Sequence, residues 1–200
     1  MKLAFFDIDT QFDFLLPSGA LYVPRAEHII SAVARLNRFA AGRGFALVST
    51  ADAHSEHDPE FASWPPHCIA GTLGQHKPEA TLLERRVVVP NRAGSYSISG
   101  APQVVLEKQS VNVFDTETIG PLLAHLDVDG YIVYGVVTEV CVLNAARGLL
   151  GTDKPVTVVE DAIAHLTAAG SAKALEELRQ LGATIGTVAS VTACHNCDPL

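Results

Sequence analysis

Polar residues close several of the short apolar runs in this chain. The first run ends on Asp9, with Gln11 and Asp13 behind it, and the second leads to Asp52 and His54. The run after Pro102 ends at Glu107-Lys108, and Tyr131 to Val137 runs into Thr138-Glu139-Val140-Cys141. Singly, each has a plain structural reading: Asp9 as a turn or cap residue, Lys108 as a solvated strand end, Cys141 as a small buried hydrophobe. Together they can do covalent chemistry. Cys141 falls in the first turn of a predicted helix, where unpaired N–H groups and the helix dipole favour a thiolate and can donate to an oxyanion. A lysine would stabilise that thiolate further, and an aspartate could carry the proton. Asp52 and His54 stand two apart after a strand end, so in extended chain both side chains can face one side, and His67 can close the site from the following loop. Asp, His and His suit zinc, iron or manganese with open positions left over. The same loop also reads as merely polar, which is how His57 and His76 read, and Cys68 reads as packed.

These residues need elements to hold them. The apolar runs Lys2 to Ile8, Phe45 to Ser49, Val87 to Val89, Val104 to Leu106, Tyr131 to Val137, Val156 to Val159 and Thr184 to Val188 lack strict alternation, as strands buried on both faces do. Helical spacing marks Ala26 to Ala41, with Gly42 and Gly44 as the stop, and further helices are predicted near Thr116 to Leu126, Glu139 to Leu150 and Ala168 to Leu181. Strands alternating with helices imply right-handed βαβ crossovers and a parallel sheet, whose carboxyl ends are where ligands bind. From Ala51 to Glu79 the chain is rich in His, Pro, Asp and Gly without periodicity, and reads as a long ordered loop of functional character.

Composition narrows the classes. The chain has 200 residues, 48% hydrophobic and 18% charged, which excludes intrinsic disorder and allows one sizeable core. Its 14 Lys and Arg against 22 Asp and Glu give a net charge of −8, with no basic clustering to hold nucleic acid. The N-terminal apolar run meets Asp7 too soon for a signal peptide, and no run has the roughly 20 apolar residues of a membrane span. A soluble cytoplasmic protein is expected, with Cys68, Cys141, Cys194 and Cys197 as thiols, ligands or a nucleophile rather than a disulfide frame. Cys194-His195-Asn196-Cys197 is a lone C-x-x-C and reads as a tail feature, at most part of a metal site in an oligomer.

Asp9-Thr10-Gln11-Phe12-Asp13-Phe14, then Gly19-Ala20-Leu21, then Lys108, then Gly135-Val136-Val137-Thr138-Glu139-Val140-Cys141-Val142 resemble, in that order and over nearly the whole chain, the isochorismatase-like cysteine hydrolases. Asp52-Ala53-His54 and Trp64-Pro65-Pro66-His67-Cys68 with Gly71-Thr72 resemble the nicotinamidase branch. The resemblance implies a three-layer α/β/α fold about a doubly wound, mainly parallel six-stranded sheet. It implies one domain over residues 1–200, with a metal-binding loop at about 51–79. Cys141 would be the nucleophile, Asp9 the general base and acid, and Lys108 the third member of a triad. A cis peptide would join Val136 and Val137, with the N–H groups of Val137 and Cys141 forming an oxyanion hole. Asp52, His54 and His67 would hold a divalent metal, zinc foremost, with His57 admitted as an extra ligand; the metal would hold the ring nitrogen of nicotinamide. Phe14 and Trp64 would wall a flat ring, and Phe114 matches a phenylalanine that often follows the family lysine. Gln109 to Val113 departs from the usual nicotinamidase wording, which leaves the substrate more open than the chemistry.

The leading expectation is therefore a cysteine amidohydrolase acting through a thioester on a small amide, with nicotinamide to nicotinate plus ammonia, and hence NAD salvage, as the first substrate. Another isochorismatase-family reaction, on a carbamoyl or other amide, is the alternative. Phe5-Phe6-Asp7-Ile8-Asp9 also resembles the first motif of haloacid-dehalogenase-type phosphatases, with Asp7 as phosphoryl acceptor and Mg²⁺ as cofactor. A third reading is a noncatalytic metal-binding or interaction module. The expected partner is the small-molecule substrate, with neither nucleic acid nor membrane, and a homo-oligomer is compatible.

Overall fold

Strands buried on both faces form where the apolar runs stand. The computed structural model describes residues 1–92, 94 and 96–193. β1 (Leu3–Ile8) and β5 (Gly130–Val136) are buried at every position. Around them lie β2 (Ala46–Asp52), β3 (Val87–Val89), β4 (Val104–Lys108), β6 (Val156–Ala164) and β7 (Thr184–Gly186), all parallel, in the order β3-β4-β2-β1-β5-β6-β7. Among the described residues the sheet thus has seven strands, one more than the six expected. The count rises because even the three-residue apolar edge runs β3 and β7 find a partner to pair with. β6 outruns its predicted end through a bulge opposite Val133 to Gly135.

Neighbouring residues of a strand face opposite layers, and each layer has its own core. Phe5, Leu47, Ile132 and Val159 pack under α2 (Ile30–Gly42) and α6 (Val188–Thr192). Phe6, Val48, Leu106 and Val133 pack under α3 (Ile119–Leu126), α4 (Leu143–Leu150) and α5 (Ala168–Gln180). The short helix α1 (Phe12–Leu15) follows β1. No helix of the described residues is long and apolar enough to cross a membrane.

From β1 the chain adds β2, passes to the edge strand β3, inserts β4 between them, then crosses back to lay β5 on the other side of β1. The carboxyl ends of β1 and β5 therefore flank a topological switch point, the expected place for a ligand crevice. Gly135 permits their close approach: it has φ +118°, and a Cβ there would run into the backbone of Ile8. The loop after β2 is ordered by backbone bonds, Ala53 N–H to Lys108 O (2.9 Å), His54 N–H to Cys68 O (3.1 Å) and Ala70 N–H to His54 O (2.9 Å).

Candidate active site

Lys108, at the end of β4 and only 1% exposed, is the centre of a buried charge cluster. Its Nζ lies 2.9 Å from Asp9 Oδ2, pairs with Asp52 Oδ1, donates to Ser110 O at 2.9 Å and stands 4.0 Å from Cys141 Sγ. Asp9 follows β1 with φ +48°, and its Oδ1 accepts from Thr50 Oγ1 at 2.6 Å. Its Oδ2, despite the nearby ammonium, has no hydrogen bond of good geometry, and Asp9 is within reach of the Cys141 thiol. Cys141 sits in a π-helical turn, Thr138–Val142, that leads into α4; Val142 N–H reaches back to Val137 O at 3.1 Å. Such turns recur at functional sites. The Val136–Val137 peptide bond is cis.

Burial and the neighbouring charges compete over the proton affinities. Burial lifts the Asp9 carboxyl above the usual carboxylate range, with Lys108 pulling the other way and Asp52 adding to the rise. Burial also pushes the Cys141 thiol well up, and Lys108 offsets this only in part. Burial thus works against the thiolate that a helix N-terminus favours, which calls for a base to take the thiol proton. Burial disfavours the Lys108 charge, but Asp52, Asp9 and Cys141 together hold its pKa well above the ordinary value, so it remains a cation. Burial would raise Asp52 too; the Lys108 charge and its hydrogen bond, with the His54 and His67 rings close by, instead hold it well below the carboxylate range.

Asp52, His54 and His67 are all buried, and a donor atom from each lies within 4.8 Å of the others. Asp52 Oδ2 is 3.8 Å from His54 Nε2 and 3.7 Å from His67 Nε2. His67 Nδ1 is fixed by Pro65 O at 2.7 Å, which turns Nε2 toward the cluster. Both ring nitrogens of His54 are buried without a well-formed hydrogen bond, although Asp58 Oδ2 is 3.1 Å from Nδ1. The unsatisfied His54 nitrogens and His67 Nε2 beside an ionised carboxylate fit a divalent cation.

His57 does not join them: it is exposed. The turn capped by Asp58, whose side chain accepts from Glu60 N–H at 3.0 Å, carries His57 outward and brings Glu60 in. Glu60 Oε1 is 3.9 Å from Nε2 of both His54 and His67. The sequence signal for Glu60 is Asp58-Pro59, a helix cap with Pro at the first position, which sets the next carboxylate on the inner side of the turn.

A narrow cavity of about 20 Å³ is lined by Cys141 and Asp52 of the charge cluster and by His67. Phe14 and Trp64 line it as expected, and Leu21, Val111, Val140 and Leu166 complete the apolar wall; Val137 and Cys141 both reach it. Phe114 does not. Asn112 caps the turn Val113–Asp115 by accepting Phe114 N–H at 3.1 Å, and the Phe114 ring packs where a Cβ on Gly148 of α4 would stand. A larger groove of about 460 Å³, near β3 and α3, is lined by none of the triad or metal-cluster residues.

Asp7 is likewise turned away from the chemistry. Its carboxylate accepts from Thr10 Oγ1 (2.6 Å), Ser49 Oγ (3.0 Å) and Asn37 Nδ2 of α2 (3.2 Å), with Lys77 Nζ at 3.5 Å, and it is fully buried. That occupied carboxylate has no free face for phosphoryl transfer, so the phosphatase expectation falls. Cys68 is buried and packed as expected, while Cys194 and Cys197 lie outside the described residues.

Known proteins resemble this chain in sequence and fold. The chain is 24% identical to the nicotinamidase of Escherichia coli K12, over 91% of this chain and 93% of that one. It is 28% identical to the nicotinamidase/pyrazinamidase of Mycobacterium tuberculosis H37Rv, over 86% and 91%. The crystal structure of the pyrazinamidase of Pyrococcus horikoshii in complex with zinc superposes with a TM-score of 0.77 at 26% identity, covering 94% of this chain and 99% of that one. The isochorismatase domain model matches residues 4–190, nearly all of what the sheet and its strand-end residues occupy, and it is to the isochorismatase family of hydrolases that this chain belongs.

Proposed function

We propose that this hydrolase is a cysteine amidohydrolase of nicotinamidase type, converting nicotinamide to nicotinate and ammonia. One observation carries the reading: a single buried ammonium, Lys108 Nζ, lies among Asp9, Asp52 and Cys141, so the nucleophile with its base and the metal-ligand cluster meet at one point. Asp9 takes the thiol proton as Cys141 Sγ attacks the carboxamide carbon; its raised pKa suits a base that later returns the proton to departing ammonia. Lys108 keeps the buried negative charges in register and steadies the sulfur as its charge develops. Backbone N–H groups of Val137 and Cys141, two residues that line the pocket, receive the oxyanion. Water, activated by Asp9, then cleaves the thioester and restores the thiol.

Asp52, His54 and His67, with Glu60 beside them, would hold the metal, and zinc is the proposed ion. When bound, it supplies an anchor for the ring nitrogen. Phe14 and Trp64 flank the ring. Among the described residues no Lys or Arg lines the cavity, whereas Asp52 and Glu60 do, which favours a neutral ring over a carboxylate-bearing ureido acid. A different neutral amide within the family is the second reading, favoured by Val111, from the segment that departs from nicotinamidase wording, at the pocket wall. We further propose one catalytic domain over residues 1–200, working in the cytoplasm in NAD salvage.

The test is ammonia release from nicotinamide, pyrazinamide and benzamide by metal-stripped and zinc-restored protein. Zinc-dependent preference for the two ring-nitrogen amides is expected. Equal turnover of benzamide with or without zinc removes the anchoring role, and no release from any of them overturns the reading.

A further inference from the structure

Asp13 belongs to the strand-end motif, yet neither the triad nor the metal cluster uses it. It lies in α1, half-buried, one residue before the pocket wall Phe14. Its Oδ1 accepts the N–H of Ala20 at 2.9 Å, next to the wall residue Leu21. Its Oδ2 accepts the N–H of Cys68 at 2.7 Å, next to the metal-cluster residue His67. Its main-chain oxygen takes Leu21 N–H at 3.1 Å. Charged acceptors make the stronger hydrogen bonds to backbone N–H groups, and each oxygen here holds a different loop. The Cys68 bond restrains a non-glycine residue at φ +44°, an uncommon conformation that needs its surroundings to hold it. Space is shaped for the carboxylate as well: a Cβ on Gly74, in the same loop, would overlap it.

We propose that Asp13 is a positioning residue that ties the metal-ligand loop to the wall of the ring pocket, so that metal affinity and substrate binding depend on one carboxylate. The inference rests on the proposed metal and ring sites. Without the clip, the segment carrying His67 and Trp64 and the segment carrying Leu21 move independently. The triad, reached through β1, β4 and β5, is left in place.

Asp13→Asn keeps the size but has one acceptor oxygen, and its NH₂ must face one of the two N–H groups as donor against donor. Zinc affinity, measured on the purified protein by chelator competition with Zn²⁺ alone, is expected to weaken by about 10-fold or more, as for other groups that orient metal ligands. KM for nicotinamide should rise severalfold, while kcat at saturating zinc and substrate stays within about twofold. Gly74→Ala should give the same pattern by displacing the carboxylate, and it serves if Asp13→Asn does not fold. Folded Gly74→Ala with wild-type zinc affinity and KM, or a loss of kcat with both unchanged, overturns the proposal. Wild-type protein that binds no zinc overturns the metal reading itself, and with it this inference.

Discussion

Replacing Lys108 with Met removes the cation while keeping most of the volume, and the structure sets how large the effect should be. The substitution strands two carboxylates, Asp9 at 0% exposure and Asp52 at 2%, each of which loses its ammonium partner. Removing one member of a buried ion pair costs about 3–5 kcal/mol. For a chain of this size about 2–4 °C in Tm follows each kcal/mol, so Lys108→Met should melt about 6–20 °C below wild type at neutral pH. The pH dependence has a definite sign. In wild type the Asp52 pKa is held below its ordinary value of 3.8, so its contribution to stability is present above that value and lost only in acid. In the variant both carboxyls lose the cation and titrate higher, so the deficit is full at neutral pH and shrinks as pH falls and they protonate. Zinc should recover part of the loss by giving Asp52 a cation again. Calorimetric melts with and without zinc across pH read all of this. A Tm within about 2 °C of wild type at neutral pH, or a deficit that grows in acid, refutes the reasoning.

Cys141→Ala should lower amide hydrolysis by about 10³-fold or more with zinc affinity intact; residual turnover near wild type would remove Cys141 from the chemistry. Because Asp9 must be ionised to accept the thiol proton and burial raises its pKa, kcat/KM should fall with acid around a midpoint above 3.8; a limb at or below that value contradicts the assignment. Glu60→Gln should weaken zinc binding by about 10-fold, and His57→Ala should leave it unchanged, as chelator competition would read; the reverse order would restore His57 to the site.

The parallel sheet was legible because fully buried strands write themselves as unbroken apolar runs, and Asp9, Asp52, Lys108 and Cys141 were legible because each closes one. Residues that depend on how a turn folds were not. Phe114 and His57 carry suitable side chains, but the caps at Asn112 and Asp58 aim them away from the pocket. Glu60 enters through the same cap that expels His57. Leu166 reaches the pocket from beyond β6, where Thr138 Oγ1 donates to Ala164 O at 2.9 Å, a contact no local pattern announces. The burial of Cys141 was not legible for a related reason: a helix N-terminus is visible in sequence, whereas the packing that raises the thiol pKa is not.

The strand order also governs when the protein can exist. β1 pairs with β5 from Leu3↔Gly130 onward, and Lys2 bonds a residue 127 positions away. At about 5–20 residues synthesised per second, the first strand waits roughly 6–25 s for its second neighbour. Until then β1 has an unpaired edge, apolar at every position but Asp7, the kind that invites association with other chains. No stretch of the chain that stops short of β5 brings Asp9, Lys108 and Cys141 together, so hydrolysis recovered on refolding would report the docking of β5 on β1, and the interval before it is when this chain most needs protection.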